Sequence, residues 1–239
     1  MSELIKQFEA ILDSNGILCG DDVSGRAVHV WNDAGIEAQV ILRPTTTEQV
    51  SEILKICNAA NQPVVAHGGR TGLVQSSITT KHDVILSLER MNVIEEVDEI
   101  GRTMTVQAGV PLQQLQATAD EKGLFFPVDL GARGSCQIGG NVSTNAGGNR
   151  VIRFGMMRDN ILGIEAVLAD GTVISSLNKM IKNNAGYDLK QLFIGTEGTL
   201  GIVTRLVVRL REAITAEDTA FVSFNDFDQV TTFLKYIDR

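Results

Sequence analysis

Along the chain, apolar residues change their spacing from two to nearly four and back, and each change marks an expected element. The stretch from Ala38, "AQVILRPTTTEQVSEILKICNAANQPVVAHGG", shows this most fully. An apolar run ends at Pro44, which cannot donate to a strand ladder. Thr45 to Thr47, with Glu48 and Gln49 behind them, offer side-chain oxygens to the free N–H groups of a helix start. Val50, Ile53, Leu54 and Cys57 then recur at helical spacing, and "PVVAH" returns to a short apolar run. The pattern predicts strand, helix, strand: one βαβ unit.

Three short strands are expected next, at 83–88, 93–98 and 103–109, separated by turn-like "ERMN" and "EIGR". Successive hairpins argue against a purely parallel sheet. Pro111 reads as the first helical residue of "PLQQLQATADEKG", which Gly123 closes. "ILGIEAVLADGTVIS" predicts a hairpin turning at Asp170 and Gly171. "GIVTRLVVRL" and Thr219 to Phe224 alternate as half-buried strands. At the start, Leu4, Ile5, Phe8, Ile11 and Leu12 share one helical face. At the end, Asn225 and Asp226 can cap a helix carrying Phe227, Val230, Phe233, Leu234 and Ile237. That helix reaches Arg239 without a C-cap, so the expectation is a chain cut inside an element.

Composition narrows the function classes. The 239 residues are 44% hydrophobic, enough for one sizeable core or two packed lobes. A formal charge of -8 and a pI near 4.9 give no overall attraction to nucleic acid or to an anionic membrane. Cys19, Cys57 and Cys136 form no CxxC pair, so neither a disulfide framework nor a zinc site is indicated. Unpaired cysteines suggest a reducing compartment, hence a cytoplasmic protein, at most peripheral to the inner membrane through an electron acceptor. The amphipathic N-terminus lacks the apolar core of a signal peptide, and no apolar run is long enough to span a membrane. His29, His67 and His82 are too scattered for a metal site or a catalytic triad; His29 and His82 read as surface or packing residues.

The glycines carry the chemistry. "PVVAHGGRTGLVQSS" ends a strand in glycines, a histidine and an arginine, and 13 of the 23 glycines fall between Gly131 and Gly201. Glycine lets backbone N–H groups approach a ligand closely and turn through positive φ. N–H groups at Gly68, Gly69, Arg70, Thr71 and Gly72, with the Thr71 hydroxyl and the Arg70 charge, could cradle a pyrophosphate. The loop is neither a Walker A motif nor GxGxxG. Two further clusters, "SCQIGGNVSTNAGG" and "GTEGTLG", imply an extended ligand, larger than one phosphate.

The ordered run "GGRTGL", "FFPVDLGARGSCQIGGNVSTNAGGNRVIRFG", "LGIEAVLADGTV", "NNAGYDLKQLFIGTEGTLGIVT" resembles the FAD-binding domain of the vanillyl-alcohol oxidase and p-cresol methylhydroxylase superfamily. Within it the run is similar to the FAD-linked 2-hydroxyacid dehydrogenases: D-lactate dehydrogenase, the glycolate oxidase flavoprotein subunit and, most closely, D-2-hydroxyglutarate dehydrogenase. The resemblance implies an α+β fold with a small βαβ lobe and a larger mixed lobe, FAD lying between them. The expected bounds are an N-terminal helical segment at 1–37, the FAD-binding domain at 38–215 with lobes at 38–110 and 111–215, and the start of a truncated cap domain at 216–239.

Residue by residue, the resemblance implies that His67, Gly68, Gly69, Arg70, Thr71, Gly72 and Leu73 hold the pyrophosphate. Asp129, Leu130, Gly131 and Ser135 would line the flavin and ribityl region, and Gly139, Gly140 and Asn141 would let backbone come close. Thr144, Asn145, Ala146 and Gly147 would contact the pyrophosphate and isoalloxazine edge. Glu197, Gly198, Thr199, Leu200, Gly201, Ile202 and Val203 would wrap the adenine and ribose. Two departures stand out: Gln75 and Ser76 replace a usual glycine pair, and Arg70 occupies the position where covalent members carry a histidine. Non-covalent FAD is therefore expected. Tyr187 and Asp188 read equally as a flavin contact or a capped helix start, Arg153 as a surface residue, and Cys136 as a small buried thiol.

The implied activity is oxidation of a D-2-hydroxy acid such as D-2-hydroxyglutarate, D-lactate or glycolate, with electrons passing to a quinone, a cytochrome or an electron-transfer flavoprotein. A homodimer is compatible with this. The base and any substrate-binding metal belong in the family to a cap domain whose motifs are not seen, so no catalytic residue and no metal ligand is assigned. The alternative is a FAD-carrying module that meets its substrate domain on a partner chain.

Overall fold

The computed structural model describes residues 2–237. The chain opens with a helix, Ser2–Glu9 (α1), a strand, Ile17–Cys19 (β1), a single helical turn, Asp21–Ser24 (α2), and a hairpin of Ala27–His29 (β2) and Asn32–Gly35 (β3). Strand Val40–Leu42 (β4), helix Thr47–Ala59 (α3), and strands Val64–His67 (β5) and Val84–Ser87 (β6) follow. Across the first sheet the order is β1-β4-β6-β5, with β6 parallel to both β4 and β5 and β1 antiparallel at the edge. The expected βαβ unit is present, with β6 inserted between its two strands. Thr46 caps α3 as its sequence suggests, its hydroxyl oxygen accepting from the Gln49 N–H at 3.3 Å.

Alternation within these strands explains why the sheet is covered on both faces. Val40, Leu42, Val84 and Leu86 pack with Phe8 of α1 and Val50, Ile53 and Leu54 of α3. Ile41 and Ile85 point the other way, onto Val23, Val28 and Ile36. The first 37 residues are thus more than the appended helix expected. They supply an edge strand and a hairpin that closes the second face, in strands of three and four residues, too short to show a period.

Strands Ile94–Asp98 (β7) and Thr103–Gln107 (β8) begin the second sheet. Helix Leu112–Asp120 (α4), strand Leu124–Phe125 (β9), helices Ile138–Ser143 (α5) and Val151–Phe154 (α6), and strands Ile161–Val167 (β10) and Val173–Ser176 (β11) come next. A helical turn, Lys190–Phe193 (α7), strands Ile202–Arg209 (β12) and Arg211–Glu212 (β13), and helix Phe227–Ile237 (α8) complete the described chain. The sheet order is β11-β10-β12-β8-β7, antiparallel throughout. Met104, Val106, Leu112, Leu115, Ile138 and Leu206 form the heart of its core.

This topology moves the expected lobe boundary. Residues 93–109 were expected in the first lobe, yet β8 pairs with β12, Val106 standing opposite Leu206. The first sheet therefore ends at β6 and the second starts at β7. A hairpin is a local signal, whereas the sheet it joins is decided by a partner far along the chain. Pro111 stands at the N-cap of α4 rather than one position inside it. Residues 219–224 form no strand: Phe221 is fully exposed, Val222 half so, and no described strand pairs with them. Helix α8 forms, although none of its described residues is buried. The expected interruption at Arg239 falls outside the described residues.

The lobes are tied by buried polar contacts. Glu165 of β10, 6% exposed, accepts from the Thr47 hydroxyl of α3 at 2.7 Å and from the Thr204 hydroxyl at 3.2 Å. Ser51 of α3 donates to the Gly171 carbonyl at 2.5 Å, at the turn between β10 and β11.

Candidate functional site

Three turns meet at the seam between the lobes. The first leaves β5 at His67 and runs through Gly68 and Gly69 to Arg70, where φ turns to +54°. The second is the glycine-rich segment around α5. The third enters β12 through Glu197 and Gly198, at φ +53° and +83°. They converge on one cavity of about 620 Å³, within the size range of cofactor sites.

All of residues 67–73 line this cavity, together with Leu130, Gly131, Gly139, Gly140, Asn141, Thr144 and Ala146, and with Glu197, Gly198, Gly201, Ile202 and Val203. Six singled-out residues stand behind or beside it. Asp129 faces Arg133 at 3.3 Å and Arg150 at 4.0 Å. Ser135 meets Gly69 through its carbonyl. Asn145, at φ +47°, accepts from the Arg158 N–H at 3.0 Å. Gly147 packs on Val151, the Thr199 hydroxyl donates to the Thr196 carbonyl, and Leu200 is half exposed.

The glycines divide by what a side chain would meet. A Cβ at Gly69 would stand 2.1 Å from the Ser135 carbonyl oxygen and 2.8 Å from the Cys136 Cα. One at Gly139 would stand 2.6 Å from the Ala108 Cβ. These two let neighbouring segments touch. At Gly72, Gly131 and Gly140 a Cβ would meet nothing within 4 Å. A side chain at Gly140 and its like would enter open space at the cavity, whereas Gly69, expected to hold a pyrophosphate, makes space for Ser135.

His67 is 4% exposed, and its Nε2 lies 2.9 Å from the Ser77 carbonyl oxygen. A carbonyl only accepts, so Nε2 carries the hydrogen. Burial pushes the imidazole down to about 4, and the nearby Arg70 and Arg26 charges push the same way. The ring is neutral near pH 7 and pins the loop back on itself. Arg70 sends its guanidinium to the Ala27 carbonyl. Beneath it, Arg26 and Arg43 hold Glu89 at 2.9 and 3.0 Å. Burial raises the Glu89 carboxyl, but the hydrogen bonds from Arg26 and Arg43 outweigh it and hold it low.

The residues present fit an extended cofactor with a pyrophosphate. The loop from Gly68 to Gly72 is glycine-rich and lines the cavity, three glycine positions open into space, and Leu88, Ala108, Ile202 and Val203 give an apolar wall for a ring. Gln137 lines the cavity with a buried side-chain oxygen that has no partner among the described residues, an acceptor suited to an N–H or O–H from a ligand.

Several lining residues were not anticipated. His29, read as a packing or surface residue, and Trp31 reach the cavity from the β2–β3 hairpin, and Cys136 and Gln137 from the second segment. Trp31 is the only tryptophan in the chain, which was the one available signal. Neither reading of Tyr187 and Asp188 matches the structure: neither residue lines the cavity, Tyr187 is 95% exposed rather than packed, and Asp188 pairs with Lys190 at 2.6 Å. Arg153 lies over the Phe154 ring at 5.3 Å. Among the described residues no three His, Cys, Asp or Glu side chains gather as metal ligands, and no helix is long and apolar enough to cross a membrane.

The family model described as "FAD binding domain" matches residues 38–176. D-2-hydroxyglutarate dehydrogenase, mitochondrial, of Danio rerio is 44% identical over 223 residues, covering 93% of this chain and 42% of that protein. The chain thus spans about two fifths of the length of the curated relatives it matches. Among solved structures, alkyldihydroxyacetonephosphate synthase superposes with a TM-score of 0.79 at 19% identity, over 90% of this chain and 41% of that one. p-Cresol methylhydroxylase superposes with a TM-score of 0.75 at 22% identity, over 90% and 44%. These two bear out the α+β fold of the p-cresol methylhydroxylase type. The mitochondrial relatives overturn the cytoplasmic placement expected from the cysteines. Unpaired cysteines report reducing surroundings and not which compartment supplies them. With more than half of its length matched by the family model, the chain belongs to the FAD binding domain family, and FAD is its cofactor.

Proposed function

We propose that the chain is the flavin-carrying part of a dehydrogenase that oxidises a D-2-hydroxy acid, such as D-2-hydroxyglutarate, D-lactate or glycolate, to the 2-oxo acid. The observation that supports it is the convergence of three glycine-bearing segments on one cavity, in a chain 44% identical to a D-2-hydroxyglutarate dehydrogenase. FAD, when bound, supplies a ring that takes a hydride equivalent from the α-carbon and releases the electrons to a second acceptor.

The chain's own residues bind, orient and exclude water. Backbone N–H groups from Gly68 to Gly72 would hold the pyrophosphate. Leu130 and Gly131 would border the ribityl and flavin side, and the Glu197 carboxylate would accept from ribose hydroxyls. Ile202 and Val203 would wrap the adenine and ribose, and Leu88 and Ala108 would keep water from the cavity. The cofactor is held without a covalent bond. Arg70, which follows the glycine pair, is engaged with the Ala27 carbonyl, and the His67 Nε2 with that of Ser77. Groups that hold the substrate carboxylate and take its proton would come from a further domain. The acceptor would be a quinone, a cytochrome or an electron-transfer flavoprotein, and a homodimeric assembly is compatible with this reading.

An absorption spectrum of the purified chain, repeated on the supernatant after acid precipitation, tests the cofactor half of this reading. Yellow flavin in the supernatant is the expected result. A colourless protein that ignores added FAD would overturn it. Turnover of D-2-hydroxy acids by the full-length protein, with an artificial electron acceptor, tests the substrate half.

A further inference from the structure

We infer that Trp31, at the tip of the β2–β3 hairpin, covers the isoalloxazine ring of bound FAD and makes this hairpin a cofactor-binding element. The inference rests on the FAD reading above. Trp31 lines the cavity, yet 71% of it is exposed. Leu73 and Val74, which also line the cavity, are 88% and 53% exposed. Large apolar side chains left in solvent beside a cavity mark a surface that something apolar covers.

The hairpin is held to the glycine loop itself. The Val30 N–H donates to the Arg70 carbonyl at 3.1 Å, and the Arg70 guanidinium donates to the Ala27 carbonyl. The Trp31 N–H donates to His29 Nδ1 at 3.1 Å, which sets the turn on which the indole is carried. That bond makes Nδ1 the acceptor, so the neutral His29 ring carries its hydrogen on Nε2, and this nitrogen has no partner among the described residues. These three hydrogen bonds fix the backbone that carries the indole, so the hairpin has little backbone freedom to lose when a ring meets it.

The choice of ring follows from the order of contacts along the loop. A Cβ at Gly198 would stand 3.5 Å from the Ala66 Cβ, whereas Val30 bonds to Arg70. The Glu197 turn and the hairpin therefore flank opposite ends of the 66–70 run. FAD is two ring systems joined through a pyrophosphate; with the pyrophosphate at the glycines, one ring lies at each flank. A carboxylate, Glu197, suits the hydroxyls of the adenosine ribose. The apolar rim of Trp31, Leu73 and Val74 suits the larger, tricyclic ring.

Because the chain has a single tryptophan, 5-fluorotryptophan labelling gives one fluorine NMR resonance that reports on Trp31 alone. In the full chain stripped of flavin, that resonance should shift on adding FAD and stay in place with ADP at concentrations that compete with FAD. Trp31→Ala should weaken FAD about tenfold, leave ADP binding unchanged and leave the melting temperature of the flavin-free protein unchanged, with Trp31→Phe recovering part of the affinity. A resonance that stays put while FAD binds, or moves equally with ADP, overturns the inference, as does a Trp31→Ala affinity within about twofold of the original. In those cases the dehydrogenase reading stands. Failure of the unaltered chain to bind FAD would remove both.

Discussion

Gly69 and Gly140 look alike in the sequence, each the second of a glycine pair, and the structure gives them opposite duties. Gly69→Ala drives a methyl into the Ser135 carbonyl, so it should destabilise the flavin-free protein by about 1–3 kcal/mol, read as a lower denaturation midpoint. Gly140→Val places its side chain in open cavity. Its melting temperature without flavin should hold, while FAD affinity falls at least about tenfold; an unchanged affinity would show that the ligand does not use that space. His67 makes a third test at this scale. Its folded value lies near 4 against an ordinary 6.5, so below pH 6.5 the unfolded chain takes a proton that the folded chain refuses. Its contribution to stability is complete above about pH 6.5 and is lost as pH falls toward 4, by about 3 kcal/mol. His67→Gln, which keeps a donor for Ser77, should flatten that part of the stability–pH curve.

At the scale of elements, signals within one segment were legible and partners were not. Thr46 and the stripe Val50, Ile53, Leu54 and Cys57 announced α3, and Asp170-Gly171 announced its hairpin, because capping and turn chemistry lie within a few residues. The β7–β8 hairpin was equally legible, but its place beside β12 was not, since pairing depends on a strand distant in the chain. Residues 219–224 had the alternation of a strand and no edge to pair with. The contact of α3 with β10 is likewise tertiary. Glu165→Ala removes the acceptor of both Thr47 and Thr204 and a partner of Arg205 at 3.5 Å, and should cost about 2–4 kcal/mol in denaturant unfolding. A loss below about 0.5 kcal/mol would mean that the lobes do not rely on this carboxylate.

For the molecule as a whole, cofactor binding and folding are linked. A ligand that binds only the folded state at 100 times its dissociation constant adds about 2.7 kcal/mol. For a chain of this size that corresponds to a melting temperature higher by about 5–10 °C, which a thermal scan with and without FAD would detect. A transition indifferent to FAD would contradict the assignment of the cavity. Glycines far apart in the chain line one cavity because each lies at the end of an element from a different part of the chain, and only the assembled seam brings them together.

The ordered glycine motifs were enough to specify the family, the cofactor and most of the residues around the cavity, because each motif lies in a local turn whose residues are contiguous in the chain. The strands and helices with a full period were specified locally as well. Tertiary structure alone decided that Gly69 serves packing and Gly140 serves space, that β7 and β8 belong to the second lobe, and that the short β2–β3 hairpin brings His29 and Trp31 to the cavity. In each case the deciding contact joins residues far apart in the chain, and such contacts leave no period or spacing in the sequence to be read.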